Sequence, residues 1–285
     1  MKIIKKVLAT LLVGIVVIGG LVACSPKAGS EAGGTVDSLD AIKERGTIRI
    51  GVFSDKAPFG YVDANGENQG FDVHIAKRFA KDLLGDESKV EFVLVEAANR
   101  VAFLESNKVD IIMANFTVTE ERKEKVDFAN PYMKVSLGIV SPDGALITSI
   151  EDLKDQKLIV NKGTTAQDYF TKNHPEIELL KYDQNTEAFE ALKDLRGAAL
   201  AHDNTEVLAW AKGNPGFTVG IPVLGNQDVI APAVKKGNTE LLAWINEELA
   251  KLGKESFITK AYEDTLLPVY GDDIAPNDLV IEGGI

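Results

Sequence analysis

The sequence has very few residues that could form disulfides or bind metals: one cysteine, Cys24, and three histidines, His74, His174 and His202. A single thiol cannot form a disulfide within the chain, so the fold must depend on its hydrophobic core. The histidines lie far apart, and no second ligand stands at metal-binding spacing near any of them. We therefore expect no metal site and no other cofactor.

The local motifs of common enzyme classes are missing as well. The chain has no Gly-x-x-x-x-Gly-Lys-Ser/Thr phosphate loop, no Rossmann glycine fingerprint and no Gly-x-Ser-x-Gly elbow. Basic residues are fewer than acidic ones, 31 against 43, which gives a formal net charge of −12. An acidic surface disfavours nucleic acid and anionic lipid as partners. We therefore expect no nucleic-acid partner, and no motif predicts catalysis.

The N-terminal segment, residues 1–23, is typical of an export signal. Lysines are confined to its first six residues, and residues 7–23 carry no charge. This apolar run is about the minimum length for a bilayer span, so a permanent transmembrane helix is the alternative. The end of the run, Leu21-Val22-Ala23-Cys24-Ser25, resembles the bacterial lipobox, in which the cysteine is lipidated and becomes the mature N-terminus. We therefore predict a lipoprotein signal peptide at 1–23 and a lipid anchor at Cys24.

Residues 24–38 follow as a predicted tether between the lipid and the folded body. The segment is rich in Gly, Ala and Ser and has almost no large apolar residue, a composition typical of flexible linkers. A disordered tail without function would have the same composition, and the adjacent lipobox favours the tether. We expect the protein on the extracytoplasmic face of the cell membrane.

The remaining chain alternates between strand and helix patterns. Strands are predicted at 47–52, 90–95, 111–114 and 157–160, helices at 71–84 and 100–106, further helices after Thr119 and after Gly163-Thr164-Thr165, and a last strand and helix within 198–212. Such alternation predicts an α/β fold with mainly parallel sheets. Two centres of alternation in about 260 residues predict two lobes.

Polar residues stand at the strand-to-helix junctions, where α/β proteins place their ligands. Arg122 could hold a carboxylate with its fork of N–H groups, and the amides of a helix that starts near Thr165 favour an anion. Asp203 could hold an ammonium. Together these groups meet the requirements of a zwitterion. The alternative is that Arg122 is a surface charge, the Thr-Thr pair only a helix cap, and Asp203 an N-cap.

A set of short motifs, weak singly but specific in their order and spacing, bears on this choice. They are Gly51-Val52, Pro58-Phe59-Gly60-Tyr61, Gly70-Phe71-Asp72-Val73, Val109-Asp110-Ile111-Ile112, Thr117-Val118-Thr119-Glu120-Glu121-Arg122-Lys123, Asp127-Phe128, Pro131-Tyr132, Ile150-Glu151-Asp152-Leu153, Lys162-Gly163-Thr164-Thr165 and His202-Asp203-Asn204. From about residue 39 to about residue 266 the chain resembles the polar amino-acid family of ABC-transporter solute-binding proteins.

The resemblance implies a two-lobed periplasmic-binding-protein-like (type II) α/β fold with two hinge strands. Lobe 1 would comprise residues 39–133 and 229–285, and lobe 2 residues 134–228. The hinge would lie near 132–136 and 226–230. A ligand that touches both lobes would favour their closure, and the closed monomer would dock on an ABC permease that a separate ATPase drives.

The resemblance also implies a binding role for several residues. Arg122 and the backbone amide of Thr165 would hold the carboxylate of an amino acid. Thr117, the backbone at Asn115 and Asp203 would hold its ammonium.

The identity of the ligand depends on the apolar walls, for which Phe53, Pro58 and Phe116 are candidates. Relatives specific for aspartate or glutamate carry a lysine where this chain has Phe53, and the absence of that cation argues against an acidic side chain. Arg100, which those relatives share, argues the other way and is also a candidate site residue. Its alternative role is a structural ion pair.

A closer resemblance is to the cysteine-binding members of the family, some of which are lipoproteins. The shared segments are Glu96-Ala97-Ala98-Asn99-Arg100, Asn161-Lys162-Gly163-Thr164-Thr165, Lys181-Tyr182-Asp183-Gln184-Asn185-Thr186-Glu187 and the tail from Gly271-Asp272-Asp273 to Val280-Ile281-Glu282-Gly283-Gly284. We therefore predict cysteine as the ligand, with another small neutral or acidic amino acid as the fallback. Two alternatives remain: an enzyme acting on cyclic acids, for which the sequence offers no spare general acid, and a surface adhesin.

Overall fold

The structure is a computed structural model that describes residues 38–284. The predicted signal peptide, Cys24 and nearly all of the predicted tether lie outside the described residues. Strands in the described part are β1 (Ile48–Val52), β2 (Asp55–Lys56), β3 (Gly60–Val62), β4 (Asn68–Gln69), β5 (Val90–Leu94), β6 (Ile111–Ile112), β7 (Val126–Phe128), β8 (Met133–Pro142), β9 (Lys157–Asn161), β10 (Glu178–Tyr182), β11 (Ala199–Asp203), β12 (Phe217–Ile230) and β13 (Ala233–Lys235).

Helices alternate with these strands along most of the chain. They are α1 (Leu39–Arg45), α2 (Phe71–Leu84), α3 (Arg100–Glu105), α4 (Glu120–Lys123), α5 (Thr165–Asn173), α6 (Asn185–Lys193), α7 (Asn204–Gly213), α8 (Thr239–Lys254), α9 (Phe257–Thr265), α10 (Leu267–Tyr270) and α11 (Pro276–Leu279). A short 3-10 turn at Ala97–Asn99 precedes α3.

The strands form two five-stranded sheets, one in each lobe, and a small three-stranded sheet. The order in lobe 1 is β5-β1-β6-β13-β7, the order in lobe 2 is β10-β9-β11-β8-β12, and the small sheet is β2-β3-β4. Within each large sheet two neighbouring pairs are parallel and two are antiparallel. The prediction of mainly parallel sheets is therefore wrong for β8, β12 and β13. Strands β8 and β12 carry the chain between the lobes, and β8 and β13 follow β7 and β12 without the crossover helix that a parallel neighbour would need.

The two long strands β8 and β12 pair with each other and connect the lobes. Met133 pairs with Ile230 and Val135 with Asp228, and the register then shifts before Leu137 meets Leu224. The directly paired segment falls within the predicted hinge, and the predicted two-lobed α/β fold with two hinge strands is confirmed. The lobe boundaries after residues 133 and 228 stay a prediction.

Local patterns explain the elements that position the cleft between the lobes. In α2 the helical spacing buries Val73, Ala76 and Ala80 in the core of lobe 1, and Gly85 closes the helix in the left-handed conformation at φ 84°. The helix therefore has the predicted bounds of residues 71–84. Comparable agreement holds for β1, β5, β9 and α3, to within one residue at each end.

Candidate functional site

The candidate site lies where the carboxyl ends of the strands of the two lobes meet, and we call this region the cleft. In lobe 1, Phe53 follows β1 and Asn115 follows β6 closely; in lobe 2, Asn161 ends β9 and Asp203 ends β11. This is the edge of a sheet at which α/β proteins bind ligands.

Arg122 is buried at the boundary between the lobes. Thr119 caps α4 by accepting the backbone N–H of Arg122 at 3.2 Å, which fixes the start of this short helix. The Arg122 guanidinium donates from Nη1 to the carbonyl of Thr117 at 2.7 Å and from Nη2 to the carbonyl of Gly163, in lobe 2, at 2.9 Å. With 8% of its surface exposed, Arg122 is not the surface charge that the alternative interpretation assumed.

Arg100 braces the same boundary through backbone carbonyls. Its Nε donates to Ala97, its Nη1 to Ala114 and Asn115, and its Nη2 to Gly163, over 3.0 to 3.2 Å. These contacts use four of the five N–H groups that the Arg100 guanidinium offers. These bonds to backbone carbonyls give Arg100 a bracing role, and not the structural ion pair considered from the sequence.

Two phenylalanines lie against these cations. The Phe116 ring centroid is 4.4 Å from Cζ of Arg100 and 4.8 Å from Cζ of Arg122, and the Phe53 centroid is 5.7 Å from Cζ of Arg100. Burial, and then the charge of Arg122, lower the pKa of Arg100 well below its usual value. The structure thus brings four of the candidate residues into one cluster.

Asp203 forms a buried ion pair with a residue of the other lobe. It occupies the N-cap position of α7, but its side chain makes no capping bond. Its Oδ2 accepts a hydrogen bond from Lys56 Nζ, on β2, at 2.7 Å, and the two side chains are 6% and 1% exposed. Burial alone would raise the pKa of Asp203, and the Lys56 ammonium lowers it below its usual value instead.

Sequence reasoning missed Lys56. The residue stands in a polar Ser-Asp-Lys stretch that is typical of an exposed turn, so no local signal marks it as buried. Lys56 Nζ lies 5.4 Å from the Phe53 ring centroid. Position 53 itself carries no cation, but the side chains of Lys56 and Arg100 both flank the Phe53 ring.

Two asparagines, one in each lobe, have buried side chains whose amide atoms find no hydrogen-bond partner in the described part of the chain. Both amide atoms of Asn115 and of Asn161 make no hydrogen bond within residues 38–284, and each residue is 1% exposed. The backbone of Asn115 is in the left-handed region at φ 47°, with its N–H donated to Asp72 Oδ2 at 2.8 Å. Buried amides need partners, and a polar ligand between the lobes could supply them.

His202, beside Asp203, is a neutral hydrogen-bond donor. Its Nδ1 accepts the backbone N–H of Asp203 at 2.7 Å, so the ring proton of the neutral form is assigned to Nε2. Burial, and then the charge of Lys56, lower the pKa of His202 to about 3. Nε2 is buried and has no partner in the described part of the chain.

Two buried acids were also missed. Burial raises the pKa of Glu206, on α7, to about 8 and that of Asp72, on α2, to about 7. Asp72 accepts the hydroxyl of Tyr132 at 2.7 Å, whereas Oε2 of Glu206 has no partner among the described residues. Glu206 is therefore a mostly neutral carboxyl at pH 7, a feature that the sequence did not reveal.

The remaining candidates are divided between two places. Thr117 is buried, with its carbonyl bonded to Arg122, and Thr165 begins α5 two residues after Gly163. Pro58 lines a separate cavity of about 470 Å³ with residues of α7 and α10. The structure bonds Thr117 to Arg122, places Thr165 two residues from the Gly163 carbonyl that accepts from both arginines, and gives Pro58 a different environment.

Within residues 38–284, no three histidine, cysteine, aspartate or glutamate side chains are grouped so that they could hold a metal ion. None of the helices in this range is long and apolar enough to cross a membrane.

Comparison with known proteins gives consistent relatives. Residues 48–266 match the bacterial extracellular solute-binding proteins, family 3. The solute receptor for L-cysteine of Neisseria gonorrhoeae is 64% identical, with a TM-score of 0.85 over 86% of this chain and 100% of that one. The cysteine-binding protein of Campylobacter jejuni is 62% identical, with a TM-score of 0.85 over 86% and 98%. The glutamine-binding protein GlnH of Bacillus subtilis (strain 168) is 35% identical over 91% of this chain and 96% of its own.

Proposed function

This chain belongs to the bacterial extracellular solute-binding proteins, family 3, and on that basis we propose that it captures cysteine outside the cell and delivers it to an ABC permease. The family predicted from the sequence is confirmed. Relatives named for cysteine share 62% and 64% of their residues with this chain, against 35% for the glutamine-binding relative. A separate ATPase would drive the permease.

One observation supports the binding of an amino acid most directly: the buried charges at the cleft come from both lobes and have both signs. We assign the ligand carboxylate to Arg122 and the Thr165 amide. We assign the ammonium to Asp203, Thr117 and the backbone at Asn115. Lys56 is bonded to Oδ2 of Asp203, and a carboxylate has further acceptor sites for the ligand.

A calorimetric screen of the twenty amino acids and cystine tests this function. We expect cysteine to bind most tightly. If another amino acid bound more tightly, the assignment of cysteine would be overturned and the assignment as an amino-acid receptor would stand. If none of the compounds bound, both assignments would be overturned.

Replacing Phe53 by lysine should shift the preference toward acidic amino acids. A lysine there would add a third cation beside Lys56 and Arg100. Lys56 is already bonded to Asp203, and Arg100 is already bonded to backbone carbonyls. We expect the affinity ratio of aspartate or glutamate to cysteine to rise about ten-fold in Phe53→Lys, ~1.4 kcal/mol, by calorimetry. Phe53→Met is the control for lost ring packing and should not raise this ratio. An unmodified chain that binds aspartate or glutamate at least as tightly as cysteine would contradict the preference.

We further propose that Cys24 carries the lipid that holds the protein, as a monomer, at the membrane. Cys24→Ala should abolish labelling of the protein by a radioactive fatty acid and leave the precursor uncleaved by the lipoprotein signal peptidase. Unchanged labelling of Cys24→Ala would rule out this anchor.

An enzymatic function is the second candidate, and the buried acid Glu206 is the observation that favours it. A dehydratase would need such a neutral acid over its substrate. If the protein is a receptor as we propose, its incubation with cyclic hydroxy acids should give no product. Amino acids that are bound to the protein and then recovered should be chemically unchanged.

A further inference from the structure

Asp55, the residue before Lys56 on β2, makes a second contact between the lobes. Its Oδ1 accepts Nδ2 of Asn185 at 3.0 Å, and its Oδ2 accepts the backbone N–H of Thr186 at 3.1 Å. Both partners belong to the first turn of α6, in lobe 2. Gln184, at the N-cap position of that helix, makes no side-chain capping bond. A carboxylate of lobe 1 thus supplies the cap for a helix of lobe 2.

Such a cap has a known effect on stability. The first turn of a helix leaves its backbone N–H groups without partners inside the helix, and a negative charge is favoured there. The cap of α6 exists only while β2 and α6 are in contact. When the lobes separate, water must replace it on both sides, so the contact favours the closed arrangement over the open one.

We infer that Asp55 is a positioning residue that sets the affinity of the protein for all its ligands by the same factor. Apparent affinity scales with the fraction of molecules in the binding-competent state, and Asp55 acts on that fraction by holding α6. The Asp55 carboxylate is hydrogen-bonded to α6 rather than to the cluster around Arg122. It lines a cavity of about 310 Å³ with Ser54, Glu96 and Gln184. The inference rests on the proposed function, in that the ligand must bind between the lobes.

The contrast with the cleft residues makes the inference specific. A residue that touches the ligand changes the affinity for different amino acids by different factors. Loss of a helix cap outside the ligand site should change all of them equally. At ~1 kcal/mol for a cap and ~1.4 kcal/mol per decade, we expect a uniform loss of about five-fold.

The affinity test uses Asp55→Ala with L-cysteine and with the next-tightest amino acid from the calorimetric screen. We expect both dissociation constants to rise about five-fold, mainly through faster dissociation in stopped-flow traces. Asp86→Ala is the matched control, because Asp86 caps a 3-10 turn inside lobe 1 by accepting the N–H of Ser88 at 2.8 Å. It should leave both affinities unchanged. Asn185→Ala removes one partner of Asp55 from the other lobe, and it carries the test if Asp55→Ala does not fold.

A second measurement needs no ligand. Spin labels at Glu87→Cys in lobe 1 and Lys181→Cys in lobe 2, in the full chain with Cys24→Ser, report the distance between the lobes. Asp55→Ala should reduce the short-distance population. If no amino acid binds the unmodified chain, the proposed function fails and this measurement alone decides on Asp55. Affinities that stay unchanged, or that change by different factors for the two amino acids, would overturn the inference. If no amino acid binds, an unchanged distance between the spin labels would overturn it.

Discussion

Asp203→Ala should weaken amino-acid binding at least thirty-fold and leave the melting temperature of the ligand-free protein almost unchanged. The substitution removes the proposed partner of the ligand ammonium and strands the buried Lys56 ammonium. Loss of one member of a buried charge pair costs roughly 2–5 kcal/mol, and ~2 kcal/mol corresponds to about thirty-fold. The Lys56 contact crosses between lobes, so its loss affects closure more than the fold of either lobe.

Calorimetric affinity and a thermal melt on the same variant test this expectation. If Asp203 were only a helix cap, its loss would cost about 1 kcal/mol of stability and hardly change affinity. The structure already argues against that role, because the side chain makes no capping bond. A lowered melting temperature with unchanged affinity would nevertheless make Asp203 part of the scaffold and refute the assignment in lobe 2.

The double variant Asp203→Ala/Lys56→Met separates the two causes of the loss. If the loss comes only from a stranded Lys56, removing that charge as well should restore binding to within about three-fold of the unmodified protein. If Asp203 holds the ligand ammonium, the double variant should stay at least ten-fold weaker, ~1.4 kcal/mol by the usual conversion. Lys56→Met alone completes the cycle and gives the coupling between the two side chains.

The same pair illustrates what the sequence could and could not predict. Asp203 follows a strand pattern and precedes a helix pattern, and the geometry of α/β sheets brings such positions to the ligand. Lys56 stands in a hairpin, 147 residues from its partner, where only the tertiary structure buries it. The partnership of Asp55 with α6, across 130 residues, was missed for the same reason.

Some features of the fold can likewise be predicted from the sequence, and others cannot. The bounds of α2 follow from its apolar spacing and from Gly85, both of which are local. The antiparallel direction of β13 depends on where β12 re-enters lobe 1, which no local pattern specifies. Glu206 lies in α7, and nothing in the local sequence of this helix marks the side chain as buried. Its pKa is raised because the rest of the protein buries it.

Gly163→Ala should weaken ligand binding about a hundred-fold by keeping the lobes apart. An added Cβ would lie 2.5 Å from Cα and 2.7 Å from the backbone N of Ala98, and 3.0 Å from the carbonyl carbon of Ala97. These are backbone atoms of the other lobe, and no side-chain rotation relieves the overlap. Overpacking of this kind costs up to ~3 kcal/mol, about a hundred-fold in affinity. The carbonyl of Gly163 would also move away from Arg100 and Arg122, which both donate to it.

Gly46→Ala is the matched control for the change of backbone. Gly163 and Gly46 have nearly the same left-handed conformation, at φ 72° and 71°, but a Cβ on Gly46 would meet nothing within 4 Å. An alanine in this conformation costs about 1–2 kcal/mol at either position, so both variants should melt at lower temperature. Only Gly163→Ala should lose affinity, because only its overlap depends on closure. Equal affinities for the two variants would mean that ligand binding does not require this approach of Gly163 to Ala98, and the closed cleft would not be the binding state.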